Sequence, residues 1–275
     1  MSPLWRDEVG VFLAPRRVLI NRMRRGLRPT CVADRTLPVE GGGFNDWGPS
    51  LAVLGAELRD PCWHDANVRF VVANHWVRFT MIPWSADLSD DEERLAHGRL
   101  LMHEVFGDAV NDWTLALGEA AAGQPQLACA MPSLLKTELS SMAASAKLRM
   151  VSLQPHLVVS FNRWRQRLPE AGGWLVVIDD GTLAALRLGR SGWEEVHCVR
   201  IGTDWSAELK RLQTFARLAG ASAGSTAEGR KVMVEAPFWL RTVAADCGEM
   251  LEWLKSDEGS GGTLERLAQL AEINA

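Results

Sequence analysis

Residues 173–201 read GWLVVIDDGTLAALRLGRSGWEEVHCVRI, and this stretch decides the fold. It contains three apolar runs rich in β-branched and aliphatic residues, at Trp174–Ile178, Thr182–Leu188 and Trp193–Ile201. Two turns separate the runs, Asp179-Asp180-Gly181 and Arg190-Ser191-Gly192. Short apolar runs bounded by such turns are typical of antiparallel hairpins. The stretch therefore predicts a three-stranded meander that opens a domain.

Residues 9–73 and 174–254 show the same order of elements: three strands, a helix, a strand and more helix. In the first half the strands are predicted at Val9–Leu13, Arg17–Met23, Thr30–Val39 and Val68–Ala73, and the helix carries Leu51, Leu54 and Leu58. In the second half the meander is followed by a helix from Trp205, a strand at Lys231–Ala236 and a helical pattern over Phe238–Leu254. Such self-similarity indicates an internal duplication. The sequence predicts an α/β fold of two subdomains, each a mixed sheet that opens with a three-stranded meander and is flanked by helices.

The domain boundary is predicted at Glu170–Gly173, where a glycine pair follows a proline. The first subdomain then covers 1–169, the second covers 173–255, and 256–275 forms a linker and a short C-terminal helix. Within the first subdomain, an inserted segment at about 74–106 carries a strand and a helix. We expect this helix to begin at the capping box Ser89–Glu92 and to end at Gly107.

Composition narrows the possible function classes. The 275 residues carry a formal net charge of −4 and 47% are hydrophobic, which supports a full core and gives no reason to expect a nucleic acid ligand. The five cysteines lie far apart and the six histidines show no ligand spacing, so we expect reduced thiols and no metal site. No apolar run approaches the roughly 18 residues of a membrane span, and the N-terminus shows no signal peptide pattern. We therefore expect a cytoplasmic protein.

Arginines are concentrated in the first forty residues, where they outnumber acidic residues two to one. Most are expected at solvated strand and hairpin positions, because arginine is seldom buried without a partner. The alternative is a docking patch for an acidic peptide or for lipid headgroups, formed by Arg22, Arg24, Arg25 and Arg28. Trp76 and Trp84 flank the inserted strand, and they are either core residues or the lining of a peptide groove.

Two α/β units that each begin with a three-stranded meander resemble the actin-like ATPase superfamily, which includes sugar kinases and chaperone ATPases. Within it the sequence looks most like PilM and the cytoplasmic domain of GspL, assembly proteins of bacterial type IV pili and type II secretion systems. The resemblance is carried by the element order over residues 8–255, by the inserted segment and by IDDGT at Ile178–Thr182. It implies two ribonuclease H-like subdomains, with ATP between the two halves in active members.

The resemblance also implies which positions would contact a nucleotide. In active members the first hairpin carries Asp-x-Gly, whose carboxylate coordinates a metal-bound water; here Phe12 stands at the aspartate and Ala14 at the glycine. The second hairpin keeps Asp179-x-Gly181-Thr182, which matches the other phosphate motif. The late Gly-Gly motif under the adenosine has no clean match, because the predicted strand runs into Ala236 and a proline. An aromatic side chain cannot hold Mg²⁺, so most of the nucleotide machinery is expected to be lost.

Two functions compete on these grounds. The first is a non-catalytic actin-like scaffold at the inner membrane, without a cofactor, which binds a protein partner such as a short cytoplasmic peptide of a membrane-anchored pilus or secretion component. The alternative is a divergent ATPase or kinase that binds ATP and Mg²⁺, with Asp7 or Glu8 in place of the missing aspartate. A third hypothesis is that the chain has a different duplicated α/β arrangement, with a small-molecule site between its halves.

The turn after Ile178 also has two interpretations. A solvated Asp-Gly hairpin turn is the plainer one, because this is the commonest hairpin chemistry. A relict phosphate site formed by Asp179, Gly181 and Thr182 is the other.

Overall fold

A computed structural model describes residues 6–26, 29–41, 46–88, 90–168, 173–179, 181–189, 192–202, 205, 207–208, 210–212, 214, 231–236 and 251–254. In chain order the strands and α-helices are β1 (Glu8–Ala14), β2 (Arg17–Arg24), β3 (Thr30–Pro38), α1 (Gly48–Glu57), β4 (Asn67–Val72), β5 (Arg78–Ile82), α2 (Asp91–Phe106), β6 (Trp113–Leu117), β7 (Gln126–Pro132), α3 (Ser133–Ser145), β8 (Arg149–Pro155), α4 (His156–Trp164), β9 (Trp174–Asp179), β10 (Thr182–Gly189), β11 (Gly192–Arg200), β12 (Val232–Glu235) and β13 (Leu251–Trp253). Short 3₁₀ helices lie at Pro61–Trp63, Asn74–Trp76 and Gly107–Asp112.

The described residues fall into two compact units. Met1–Trp76 and Ser133–Arg163 belong to the first unit, and Val77–Pro132 and Trp164–Leu254 belong to the second. Each unit therefore combines segments that are far apart in the sequence. Among the described residues, no helix combines the length and the apolar character that crossing a membrane requires.

The first unit is built on a five-stranded sheet in the order β3-β2-β1-β4-β8. Strands β1, β2 and β3 form the predicted antiparallel meander, and β4 and β8 extend it in parallel. All seven residues of β1 are buried, as expected of a central strand covered on both faces. Helix α1 presents Leu51, Leu54 and Leu58 to the core, which confirms the predicted helical face.

The second unit contains a sheet of the same design, in the order β11-β10-β9-β12-β13. Strands β9, β10 and β11 form the meander predicted for residues 173–201, and β12 and β13 add in parallel. One face of this sheet carries a core cluster that includes Trp174, Val176 and Leu183, against which Trp205 and Leu212 pack. Two mixed five-stranded sheets with one strand order confirm the predicted duplication and fold class.

The second unit also contains a three-stranded antiparallel sheet in the order β5-β7-β6. Helix α2 lies on one face of it, with Met102 fully buried against Ile82 and Val110. Helix α2 begins one residue later than predicted, because the Asp90 carboxylate caps it by accepting the Glu93 N–H at 2.9 Å. The helix ends at Gly107, as predicted, with φ +62°.

Two sequence-based expectations need correction or extension. The helical pattern over Phe238–Leu254 is wrong at its end, because Leu251–Trp253 is the edge strand β13, which pairs in parallel with β12; residues 237–250 lie outside the described part of the chain. The inserted segment at about 74–106 supplies β5 and α2, and the strands that follow it, β6 and β7, complete the same sheet. The sequence-based domain boundaries stay a prediction.

Candidate functional site

The turn between β1 and β2 is the position at which the resemblance implies a metal-binding aspartate. Phe12 is 3% exposed there and packs in an apolar cluster with Leu19, Val71 and Val159. Ala14 is fully buried, and its carbonyl accepts a hydrogen bond from the Ser50 hydroxyl at 2.9 Å. The turn therefore continues the hydrophobic core where a phosphate-contacting loop would expose a carboxylate and backbone N–H groups.

Aromatic and cationic side chains surround the Phe12 ring. The His156 ring lies edge-on to it with centroids 5.0 Å apart, and the Arg17 guanidinium lies 5.8 Å from its centroid. Mg²⁺ is held by oxygen ligands, usually carboxylates and waters. An aromatic side chain supplies no such ligand, so the residues at this turn do not fit a magnesium ion.

Asp7 and Glu8, the acids considered as replacements for the missing aspartate, lie at the opposite end of β1 from the turn. Asp7 Oδ2 accepts from Arg22 Nε at 2.9 Å, and Glu8 Oε2 accepts from Arg25 Nη2 at 2.7 Å. Arg69 Nε donates to the second oxygen of Glu8, which is 4% exposed. Both acids are thus neutralised by arginines, and the hypothesis that they replace the aspartate is wrong.

The predicted partner-binding residues lie in different surroundings. Arg22 is engaged within the first unit, because its Nη1 donates to the carbonyls of Cys62 at 2.5 Å and His64 at 3.0 Å. Arg24 is exposed at the end of β2, Arg25 is half-buried, and residue 28 lies outside the described part of the chain. Their role in partner binding stays a prediction.

The two tryptophans beside the inserted strand differ in exposure. Trp76 is 4% exposed and belongs to the core of the first unit, whereas Trp84 in the second unit is 53% exposed. Only Trp84 is therefore available at the surface to a partner, although Trp76 was grouped with it.

The turn between β9 and β10 carries the residues that match the second phosphate motif. Gly181 has φ +84°, a conformation that favours glycine. Asp179 and Thr182 face each other across the turn and are 1% and 2% exposed. The interpretation of this turn as solvated is therefore wrong for Asp179, although the role of the turn in phosphate binding stays a prediction; residue 180 lies outside the described part of the chain.

The Cys198 thiol lies near the Asp179 carboxylate, and the Arg78 guanidinium lies near the same thiol. Burial lowers the pKa of Arg78, and the nearby Arg200 adds to this effect. Burial raises the pKa of Cys198 to about 12; the Asp179 charge adds to this effect, and Arg78 opposes it. Cys198 takes part in no disulfide bond, and with this pKa it stays protonated near neutral pH. Because the thiolate is the nucleophile, the site offers a structural thiol rather than a catalytic one.

Cys198 should make stability depend on alkaline pH. Between its ordinary pKa of 9.0 and the folded value of about 12, the unfolded chain loses the proton while the folded chain keeps it, so rising pH destabilises the fold. From pH 8 to pH 10 this thiol should lower the unfolding free energy by roughly 1 kcal/mol. Urea titrations should show that Cys198→Ala loses less stability over this interval, whereas Cys31→Ala, at an exposed thiol, leaves the slope unchanged. Equal slopes in all three proteins would contradict the assignment.

The end of β12, where the resemblance places the late adenosine motif, is occupied by an indole. Trp164 Nε1 donates to Glu235 Oε2 at 2.6 Å, and the Arg167 guanidinium lies 5.2 Å from the Trp164 ring centroid. Trp164 is 6% exposed and Ala236 is 5% exposed. A bulky indole and a carboxylate thus lie at the end of β12, after which the sequence has no clean match to the two glycines that the resemblance implies.

Three residues of these sites were not identified from the sequence: His156, Arg78 and Trp164. His156 directly follows the end of β8, and a polar residue at the carboxyl end of a parallel strand is a usable signal. The positions of Arg78 beside Cys198 and of Trp164 beside Glu235 depend on pairing between distant segments. Among the described residues, no group of three or more His, Cys, Asp or Glu side chains is placed to hold a metal ion.

Comparison with known proteins identifies the fold. No family model matches the sequence, and no curated protein matches it. A chain of a PilM–PilN type IV pilus biogenesis complex is similar over 97% of this chain and 94% of that chain, with 15% identity and a TM-score of 0.60. The cytoplasmic domain of EpsL, an inner membrane component of the type II secretion system of Vibrio cholerae, is similar over 98% and 94%, with 10% identity and a TM-score of 0.54.

The fold of a third similar structure is stated in its description. It is a Bacteroides thetaiotaomicron protein with an actin-like ATPase fold and unknown function, similar over 88% of both chains, with 9% identity and a TM-score of 0.57. The chain has the actin-like fold, and the predicted likeness in fold is confirmed. Identities this low establish the fold alone.

Proposed function

We propose that the protein is a non-catalytic actin-like scaffold that holds a protein partner in a pilus or secretion-type assembly, in the cytoplasm at the inner membrane. The observation that carries the proposal is Phe12, which is 3% exposed in an apolar cluster at the turn where active members of the fold place a metal-binding carboxylate. Phosphoryl transfer needs positioning and charge neutralisation together. The first turn offers no ligand for the metal, so no hydrolytic step is assigned to these residues.

Two further features support a role in holding proteins. The structures of similar fold include a PilM–PilN pilus biogenesis complex and an inner membrane secretion component. Strand β3 is the edge of the first sheet among the described residues, and seven of its nine residues are exposed. A long exposed edge offers unpaired backbone N–H and C=O groups, to which an extended peptide can add as a further strand.

The partner is tested by co-purification of the tagged full-length protein with the products of adjacent genes. We expect recovery of a membrane-anchored component, lost when its cytoplasmic segment is deleted. Recovery of soluble metabolic enzymes alone, with no membrane or pilus component, would count against the scaffold role.

Binding of ATP and Mg²⁺ remains the second candidate, because the turn at Asp179, Gly181 and Thr182 keeps the phosphate-motif residues and a positive φ at the glycine. Isothermal titration calorimetry of the full-length protein separates the two functions. We expect no magnesium-dependent heat of ATP binding. Micromolar binding that is abolished by Asp179→Asn, in a variant whose unfolding curve matches the wild type, would favour the ATPase and overturn the proposal.

A further inference from the structure

A surface groove lies at one end of the three-stranded sheet of the second unit. Its volume is about 220 Å³, and it is lined by the segment after β5, by Arg94 of α2 and by the loop between β6 and β7. Trp84 forms part of its wall with 53% of its surface exposed. Exposed tryptophan is uncommon on a surface that serves no interaction, because its large apolar area prefers burial.

The size of the groove limits its occupant. Pockets that take drug-sized ligands or cofactors measure about 300–1,000 Å³. A volume of about 220 Å³ instead suits a single bulky side chain. In protein interfaces, one anchor side chain in such a pocket often dominates the binding energy. The groove thus fits the anchor residue of a peptide better than a free small molecule.

Exposed acidic residues flank the lining residues of the groove along the chain. Each of six exposed acids lies within three residues of a lining residue: Asp87, Asp90, Asp91, Glu92, Glu93 and Glu119. Arg94, which contacts Asp91 at 3.5 Å, is the one basic residue within the lining. Exposed acids this near to the lining residues in the chain give the surface around the groove an excess of negative charge, which favours a cationic partner over an acidic peptide or an anionic membrane surface.

We propose that this groove, walled by Trp84 and rimmed by acids, docks a basic peptide segment of a partner protein, with one bulky apolar anchor residue flanked by Arg or Lys. The anchor fills the cavity against Trp84 and Leu88, and flanking cations pair with the rim or stack on the indole. The inference deepens the proposed scaffold function, since it names the chemistry of a partner. It stands separately from nucleotide binding, so a positive ATP titration would overturn the scaffold proposal and leave this groove untouched.

Peptide selection on the full-length protein tests the assignment. A phage-displayed library of random 12-residue peptides is selected on the wild type after depletion on Trp84→Ala, and the affinities of enriched peptides are measured by fluorescence polarisation. We expect enrichment of one bulky apolar residue flanked by Arg or Lys. Trp84→Ala should weaken binding at least about tenfold, as for an interface anchor. Leu100→Ala, at another exposed apolar position with 56% exposure, should leave affinity unchanged.

The acidic rim is tested by the double variant Asp87→Asn and Glu119→Gln. It should weaken binding several-fold and flatten the dependence of affinity on salt, because exposed charges are screened by ions. Failure to enrich any peptide, enrichment of acidic or uncharged peptides, or equal affinity for Trp84→Ala would overturn the assignment. A dimer of the free protein that dissociates on Trp84→Ala would also overturn it, since the groove would then belong to a second copy of this chain.

Discussion

Replacing Phe12 with aspartate should lower the free energy of unfolding by more than about 3–5 kcal/mol. Loss of a buried aromatic alone costs about 3–5 kcal/mol, and a carboxylate placed in an apolar cluster adds a desolvation penalty of several kcal/mol. A carboxylate at this position would not reach solvent, because Phe12 is 3% exposed and packs against Leu19, Val71 and Val159. Urea denaturation followed by circular dichroism measures the loss of unfolding free energy. A variant that is unfolded at room temperature without urea would agree with the largest predicted loss.

Phe12→Leu is the matched control. It keeps an apolar side chain in the same cluster and should cost about 1–2 kcal/mol, mainly for the lost ring volume. The comparison separates the chemistry of the carboxylate from the change of volume. A Phe12→Asp protein of wild-type stability that binds ATP with Mg²⁺ would show that one substitution separates this chain from an active nucleotide site, and the scaffold proposal would then fail.

The architecture could be predicted from the sequence where the determining interactions are local. The meander at 174–201 is fixed by two turns and three apolar runs, so its strands and pairing follow from neighbouring residues. The same holds for β1–β2 and for helix α1, whose Leu51, Leu54 and Leu58 are all buried. Because the two halves of the sequence repeat the same order of elements, two sheets with the same strand order could be predicted, and the actin-like fold followed from them.

Elements that depend on distant partners were harder to predict. Leu251–Trp253 follows a pattern that reads as helix, and it becomes a strand because β12 offers a parallel edge. Strand β7 pairs with β5, and this pairing places Cys129 opposite Phe79, a residue fifty positions earlier in the chain. Periodicity within one segment carries no information about such a partner.

The candidate sites show the same division. Phe12, Ala14 and Asp179 were identified because the motif positions are spaced along single hairpins. The burial of Asp179 was not expected, since an Asp-Gly turn is usually solvated, and it follows from the position of Asp179 at the end of a central strand. Trp84 and Trp76 were considered together because they are close in sequence, but Trp84 is exposed and Trp76 lies in the core.

Replacing Trp164 should destabilise the second unit in two steps of different origin. Trp164→Phe removes the indole N–H that donates to Glu235 at 2.6 Å, and a hydrogen bond to a charged group contributes about 1.5–3 kcal/mol. Trp164→Ala also removes a 6% exposed ring that stacks under Arg167, for a total of about 3–5 kcal/mol. Trp84→Ala, at an exposed indole, should stay within about 0.5 kcal/mol of the wild type.

A double-mutant cycle decides whether the indole acts through the Glu235 carboxylate. If the hydrogen bond is the main link, Trp164→Phe and Glu235→Ala should couple by about 1–3 kcal/mol, because the second change removes nothing further from a bond already broken. Additive effects would mean that the two side chains contribute independently and that the indole serves only to fill space. Strong coupling would show that the indole stabilises the second unit through its hydrogen bond to the carboxylate at the end of β12.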